Sequence, residues 1–350
     1  MKKFSLSFLV LMMVIFLAAC GSASNTAQEK TETKTNENTN QQEKPAQETA
    51  KNDGFPEKPV RLIVQYPAGG GVDVTARLFA KHAEKYLGQK IIVENKTGGS
   101  GAIGVTSVAT SKPDGYTLGV VIPNTITDEL LLTDIKYNAD SFAPIVQINA
   151  DPSILAVKSD SPIKSLEDFI NKAKSGKTTI GIGAVWTTND FVKLQLEKEA
   201  GIELTRIPYQ GGAPVTQSLL AGDIDSGTQY PGEIIDYYKS GELRGLAIST
   251  PENVDTFSEI PTFKEQGYDI EFNIWRMIAA PAGTPQEHID VLEEAFMKAL
   301  EDPETAKDFN NAGLEISALN SAQSQEKLKS EAEKYKAIIS DLGLEPGANP

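Results

Sequence analysis

Val60-Arg61-Leu62-Ile63-Val64, then Pro67-Ala68-Gly69-Gly70-Gly71-Val72-Asp73, reads as a strand that breaks on a glycine turn and enters a helix. The β-branched run bounded by proline and glycine is a strand signal. A helix from about Asp73 places Val72, Ala76, Phe79, Ala80, Ala83 and Leu87 on one face, and Gly88 stops it. The turn carries the chemistry. A glycine-rich link between strand and helix leaves backbone N–H groups unpaired at the positive end of the helix dipole, which suits an anion. An ordinary turn in which glycine merely permits positive φ has the same composition, and both readings stay open on these residues alone.

The unit recurs downstream. Lys90 to Glu94 and Tyr116 to Ile122 read as strands, and Gly98-Gly99-Ser100-Gly101 leads into a helix. Ser153 to Lys158 begins a second set. It continues with a capped helix at Ser165-Leu166-Glu167-Asp168, a strand at Thr178 to Ile182, and a second glycine turn at Gly183-Ala184-Val185-Trp186-Thr187-Thr188 before a helix from Asn189. Ile207 ends a strand ahead of Pro208-Tyr209-Gln210-Gly211-Gly212, and Ile224 to Thr228 and Leu243 to Ser249 complete the set. Thr284-Pro285-Gln286-Glu287 has the cap, proline and glutamate of a helix start, with Ile289, Leu292, Phe296, Ala299 and Leu300 as its stripe. Alternation of short strands with helices predicts an α/β chain with mainly parallel sheets. Two glycine turns in different domains, facing each other across a cleft, would hold a molecule with a carboxylate at each end.

Other chemistries lack their parts. Gly99-Ser100-Gly101-Ala102-Ile103-Gly104 fits a dinucleotide fingerprint, but Asn95 to Gly98 intervene after the strand and spoil the tight turn. Gly176-Lys177-Thr178 ends like a phosphate loop, yet Asn171 stands where the first glycine belongs. His82 and His288 are the only histidines, are expected at the surface, and form no metal spacing. Asp223 and Asp225 resemble part of a calcium loop with Gly227 misplaced. No nucleophile elbow is present. Neither a metal nor a cofactor is therefore expected. The net charge of −15 argues against nucleic acid, but does not oppose a small anion held by local amides.

The N-terminus predicts export. Lys2 and Lys3 precede an apolar run from Phe4 to Phe16, too short to span a membrane comfortably, and Leu17-Ala18-Ala19-Cys20 follows. That sequence resembles the lipobox of bacterial lipoproteins. The resemblance implies a signal peptide over 1–19 and a diacylglycerol on Cys20, the chain's single cysteine. Residues 20–54 hold almost no large apolar side chain and read as a disordered tether. The expected location is the extracytoplasmic face of the cell membrane, by lipid anchor.

Taken together, Phe55 to Val64, Pro67 to Asp73, Val93-Glu94-Asn95-Lys96-Thr97-Gly98, Lys112 to Leu118, Ile207 to Pro214, Gly241 to Ala247 and Pro281-Ala282-Gly283-Thr284-Pro285 resemble the substrate-binding proteins of tripartite tricarboxylate transporters, the TctC/Bug family. The resemblance implies a two-lobed, type 2 periplasmic-binding-protein-like α/β fold with a ligand cleft between lobes. By that pattern 55–152 plus 276–350 form lobe 1 and 153–275 form lobe 2. It implies binding without catalysis. The ligand would be a di- or tricarboxylate, citrate-like, passed by a monomeric receptor to large and small integral membrane subunits. Carried over by position, the first pincer is Ala68, Gly69, Gly70, Gly71 and Asp73. The second is Gly183, Ala184, Trp186, Thr187 and Thr188, with Tyr209, Gln229 and Tyr230 lining the cleft. Gln229 replaces an acidic residue of many relatives, which weakens an amino-acid ligand, and Trp186 stands where a small residue is common, so its indole is expected to narrow the cleft or stack on a ring. Glu233 matches members grouped with tricarboxylate uptake. Two other roles remain open: a sensor subunit for a membrane signalling partner, and an envelope enzyme using Asp73, Glu233 and Arg276.

Overall fold

The computed structural model describes residues 54–252 and 254–347. The signal peptide, Cys20 and all of the tether but Gly54 lie outside the described residues.

Eleven strands among the described residues make two sheets. In the first, the order is β11 (Ile316–Leu319), β4 (Phe142–Pro152), β10 (Asn273–Pro281), β3 (Thr117–Val121), β1 (Val60–Val64), β2 (Ile91–Asn95). In the second it is β7 (Thr205–Pro208), β6 (Thr179–Ile182), β8 (Ser226–Gln229), β5 (Ile154–Lys158), β9 (Leu243–Ile248). Only Ser153 separates β4 from β5, and β10 carries the chain back into the first sheet.

The expectation of mainly parallel sheets is corrected. β1 pairs in parallel with β2 and β3, and β6 with β7 and β8, but β10 runs antiparallel to β3 and β4, and β5 antiparallel to β8 and β9. The reason is the crossing. The chain leaves the first sheet through β4, which keeps the sense of β1 and β3, and the strands that carry it across, β5 into the second sheet and β10 back into the first, run against the βα units.

The first helix, α1 (Gly71–Leu87), buries Val72, Ala76, Phe79, Ala80, Ala83 and Leu87, and Gly88 closes it at φ 73° with its N–H on Glu84 O. Its stripe packs on α8 (Gln286–Glu301), where Phe79 and Phe296 meet edge-to-face at 5.0 Å. The α8 start differs from expectation. Pro285 itself is the cap, and Thr284 Oγ1 donates to Pro281 O at 2.8 Å, so the threonine closes the preceding turn. In α4 (Leu166–Ser175) the capping box forms as read: Ser165 Oγ accepts Asp168 N–H at 3.0 Å and Asp168 Oδ2 accepts Ser165 N–H at 3.1 Å.

Further helices follow individual strands: α2 (Ala102–Ala109), α3 (Asn124–Leu131) after β3, α5 (Thr188–Ala200) after β6, α6 (Gly212–Ala221) after β7, and α7 (Pro231–Lys239) after β8. Then α9 (Pro303–Asn311) and α10 (Ser321–Asp341) end the described chain. The last helix serves both sheets. Trp275 Nε1, on β10, donates to Glu331 at 3.2 Å, while Tyr335 sits edge-on to Phe191 of α5 at 5.3 Å between ring centres. One continuous apolar cluster accordingly includes Val121, Phe142, Trp275 and Tyr335 together with Leu155, Ile180 and Phe191.

Candidate functional site

Parallel strands end where their helices begin, and in an open α/β sheet that carboxyl edge is where ligands sit. Here the two sheets turn those edges toward a common cavity of about 220 Å³. Its walls include the first residues of five helices: Gly70, Gly71 and Val72 of α1, Asn124 of α3, Thr187 and Asn189 of α5, Gly211 to Pro214 of α6, and Tyr230 and Glu233 of α7. Each helix start carries about half a positive charge in unpaired N–H groups. Tyr66, Val72, Ile122, Ala184, Tyr230 and Ile274 make the rest largely apolar.

No lysine or arginine is among the lining residues, and Glu233 is the single charged one. At the wall itself, positive potential therefore comes from backbone. A side-chain donor adds to it: Asn124 is 2 % exposed, and its Nδ2 has no hydrogen-bond partner among the described residues. A buried unpaired amide costs free energy unless something arrives to accept from it.

Two glycines set the closeness of the walls. A Cβ on Gly183 would lie 3.1 Å from Gly211 C and 3.2 Å from Gly212 N, where the loops after β6 and β7 touch, and Gly211 N–H donates to Gly183 O at 2.6 Å. A Cβ on Gly212 would come within 2.1 Å of the Glu233 carboxyl group. That carboxylate accepts Tyr230 N–H at 3.0 Å and, at 3.5 Å, Gly71 N–H. Behind it lies Arg276, fully buried, paired with Asp151 and 5.7 Å from the Tyr230 ring centre. Burial pushes the Glu233 carboxyl above its ordinary range, against the pull of the Tyr230 amide and Arg276, and with Asp151 adding to the rise.

The residues expected from sequence divide. Ala68, Gly70, Gly71, Gly183, Ala184, Thr187 and Tyr230 line the cavity. Gly69, Asp73, Trp186, Thr188, Tyr209 and Gln229 are not among its lining. Asp73 holds its own loop: Oδ2 accepts Gly69 N–H at 2.9 Å, and Arg77 and Asn95 donate to the same carboxylate. Burial opposes ionisation there, but the Arg77, Gly69 and Asn95 donors outweigh it and hold the carboxyl below its usual range. Of the trio Asp73, Glu233 and Arg276, only Glu233 is among the cavity lining, while Asp73 ties its own loop and Arg276 pairs with Asp151.

Trp186 corrects a second expectation. Its indole does not narrow the cleft; it is 2 % exposed within the core, with Arg206 5.5 Å from its ring centre. The residue adopts φ 58°, a conformation costly for a bulky side chain. Asp190 holds it there by accepting Trp186 N–H at 2.9 Å and pairing with Arg206 at 2.6 Å. Thr187 caps α5 through Asp190 N–H, and its hydroxyl donates to Ala184 O at 2.9 Å. Tyr209, half-buried, packs against the core of the second sheet, and Gln229 accepts from Thr216 Oγ1 at 3.0 Å.

The motifs set aside are structural. Gly98 to Gly104 lies off the cavity, pinned by Tyr66 OH on Ser100 O. Asp225 Oδ2 accepts Thr179 N–H at 2.8 Å. The histidines are half-buried rather than superficial: His82 meets Asp308 at 2.9 Å and His288 stacks on Phe55 at 4.0 Å. Among the described residues, no cluster of three His, Cys, Asp or Glu is placed to hold a metal, and no helix is long and apolar enough to cross a membrane.

Lining residues missed from sequence include Asn124, Asn189 and the Gln210 to Pro214 turn, with Tyr66, Ile122 and Ile274 on the apolar side. Glycines at 211 and 212 ahead of a helix gave a signal of the same kind as Gly69 to Gly71. Asn124 gave none.

A family model described as the tripartite tricarboxylate transporter family receptor matches residues 75–344. A Cupriavidus necator protein described as "UPF0065 protein in gbd 5'region" is 34 % identical over 308 residues, 86 % of this chain and 91 % of the relative. The solved periplasmic binding protein BugD superposes with a TM-score of 0.79 at 28 % identity, covering 83 % of this chain and all of that one. An R. palustris protein solved with adipate, Rpa4515, gives 0.79 at 27 %, covering 83 % and 99 %.

Proposed function

We propose that this chain, which belongs to the tripartite tricarboxylate transporter receptor family, captures a di- or tricarboxylate outside the cytoplasm and hands it to large and small membrane subunits of a transporter. The observation that carries the reading is the convergence of five helix N-termini, with the unpaired Asn124 amide, on one cavity whose lining holds no lysine or arginine. Carboxylate-to-amide hydrogen bonds are charge-assisted, so neutral donors suffice. Release remains easier than from a salt bridge. The relative Rpa4515, solved with adipate, supports an acid with two carboxylates.

Binding without turnover fits this wall chemistry: a carboxylate held among amides meets no serine, cysteine, lysine or histidine in the lining. Ala68, Gly70 and Gly71 would hold one end of the ligand, and Gly183, Ala184 and Thr187 the other, with Tyr230 between. The lobes, 55–152 plus 276–350 and 153–275, would close about the β4–β5 and β10 crossings. We further propose that the receptor is a monomer anchored to the membrane through a lipid on Cys20, on the strength of Leu17-Ala18-Ala19-Cys20.

The experiment is a thermal-shift screen of the purified protein with dicarboxylates, tricarboxylates, aromatic acids and amino acids. A ligand at a hundred times its Kd stabilises by about 2.7 kcal/mol, a rise of several degrees. A rise confined to one group of acids supports the receptor and names its class. Absence of any rise from folded protein contradicts it.

A further inference from the structure

The one charged side chain on the cavity wall has the wrong sign for a site built to take anions. Glu233 is half-buried, and its carboxylate lies between the loop ahead of α1 and the start of α6. As the N3 residue of the α7 capping box it closes that helix, and the cap engages one of its oxygens. Tyr230 N–H occupies one oxygen at 3.0 Å, whereas Gly71 N–H reaches the other only at 3.5 Å, beyond a normal N–H···O distance. A carboxylate has about four acceptor positions, so Glu233 can still accept from a ligand.

What it can accept from is restricted. A ligand carboxylate at the Gly71 amide makes Glu233 Oε1 yield, and a second carboxylate against Glu233 would add a further like charge. An ammonium would gain from Glu233 but would sit among five positive helix ends. The charge of Arg276, buried behind Gly71 with Nε and Nη2 unpartnered among the described residues and Nη2 only 3.2 Å from where a Gly71 Cβ would be, also opposes it. Asp151 is already engaged by Arg276 and Asn149. A neutral hydroxyl meets neither penalty.

We propose that Glu233 is a specificity residue that accepts a hydrogen bond from a ligand hydroxyl, so that the site takes hydroxy-carboxylates in preference to plain carboxylates and amino acids. This rests on the receptor reading above and narrows its ligand class. The amide cradles hold the acid groups, and Glu233 reads the neighbouring carbon. Removing the hydroxyl leaves Glu233 against apolar ligand surface, and hydrogen bonds to charged groups are the stronger kind.

Titration calorimetry at pH 7.5 tests this with acids that differ by one group: malate, succinate and aspartate, and citrate with tricarballylate. The expected result is that the hydroxy acid of a pair binds about tenfold or more tighter than its deoxy partner, and malate tighter than aspartate. Glu233→Gln, which supplies an amide N–H to a plain carboxylate, should shrink the hydroxyl preference to about threefold or less. Deoxy acids or aspartate binding the wild type as tightly as the hydroxy acids would overturn the assignment while leaving the receptor reading intact. An unchanged preference in Glu233→Gln would also overturn it. Should that variant not fold, the wild-type ratios decide alone. If none of these acids nor any other carboxylate binds, the receptor reading falls and takes this inference with it.

Discussion

Glu233 Oε1 faces Gly71 N–H at 3.5 Å, so the first turn of α7 reaches the first turn of α1 across the cavity. One residue belongs to a helix that follows the second sheet, the other to a helix that follows the first. A carboxylate of the protein thus already points at an amide that suits a carboxylate of the ligand, at a distance long enough to yield. On the proposed reading, binding and closure would act on the same pair of loops.

Gly212→Ala checks how much the site depends on that carboxylate's place. The new methyl would meet Glu233 at 2.1 Å, so the side chain must swing into the cavity or away from Tyr230 N–H. Ligand affinity is expected to fall tenfold or more, roughly the loss of one charge-assisted hydrogen bond. Calorimetry with the best-bound acid measures it.

Asn124→Ala removes a buried donor without a partner among the described residues, so the unliganded protein should lose little stability, within about 1 kcal/mol. Binding should weaken by about tenfold, the share of one such bond to a carboxylate. Thermal denaturation with and without ligand separates the two effects.

Asp190→Ala should destabilise the second glycine loop. Asp190 is buried, accepts Trp186 N–H and pairs with Arg206, so its removal leaves a mostly buried guanidinium and an amide unpaired. Breaking one partner of a buried pair costs about 3–5 kcal/mol. A smaller Tm loss is expected from the double variant Asp190→Ala/Arg206→Met, because no charge is then stranded. Equal losses would contradict the account of how Trp186 is held.

Asp128 gives a pH dependence of known sign. Burial raises its carboxyl to about 7, opposed by the Tyr137 hydroxyl that donates to it at 2.8 Å. An unfolded aspartate titrates near about 3.9. Between those values the folded chain keeps a proton that the unfolded chain has lost, so this group's stabilising share is full below about pH 4, declines as pH rises, and is gone above about 7. Asp128→Asn stays neutral throughout. Relative to wild type it should gain stability on the order of a few kcal/mol by pH 8 and gain none near pH 4. A constant difference across that range would rule out the buried acid as the cause.

Much of the frame was legible because it rests on local signals. The α1 and α8 stripes, the Gly88 stop and the Ser165 box follow from spacing and capping chemistry alone. Sheet direction was not legible, since β5 and β10 owe their reversed sense to a crossing set by contacts distant in sequence. The two glycine turns were legible as cavity walls because close approach of backbone to backbone needs glycine, as at Gly183 against Gly211. The residues around them were harder to place. Asp73 and Trp186 look like pincer members by position, yet one ties its loop and the other fills the core, which only side-chain direction decides. Asn124 carries no flag in sequence, because its meaning lies in the partner that it lacks.

The most direct test of the central claim follows glycine amide signals by nuclear magnetic resonance, with the protein labelled at glycine nitrogen and titrated with its best-bound carboxylate. The account predicts that Gly70, Gly71, Gly183 and Gly212 shift strongly and saturate together, while Gly88 and Gly222, which close helices away from the cavity, stay still. Saturable binding that leaves the four cavity glycines unmoved would contradict it, and would place the ligand elsewhere on the protein.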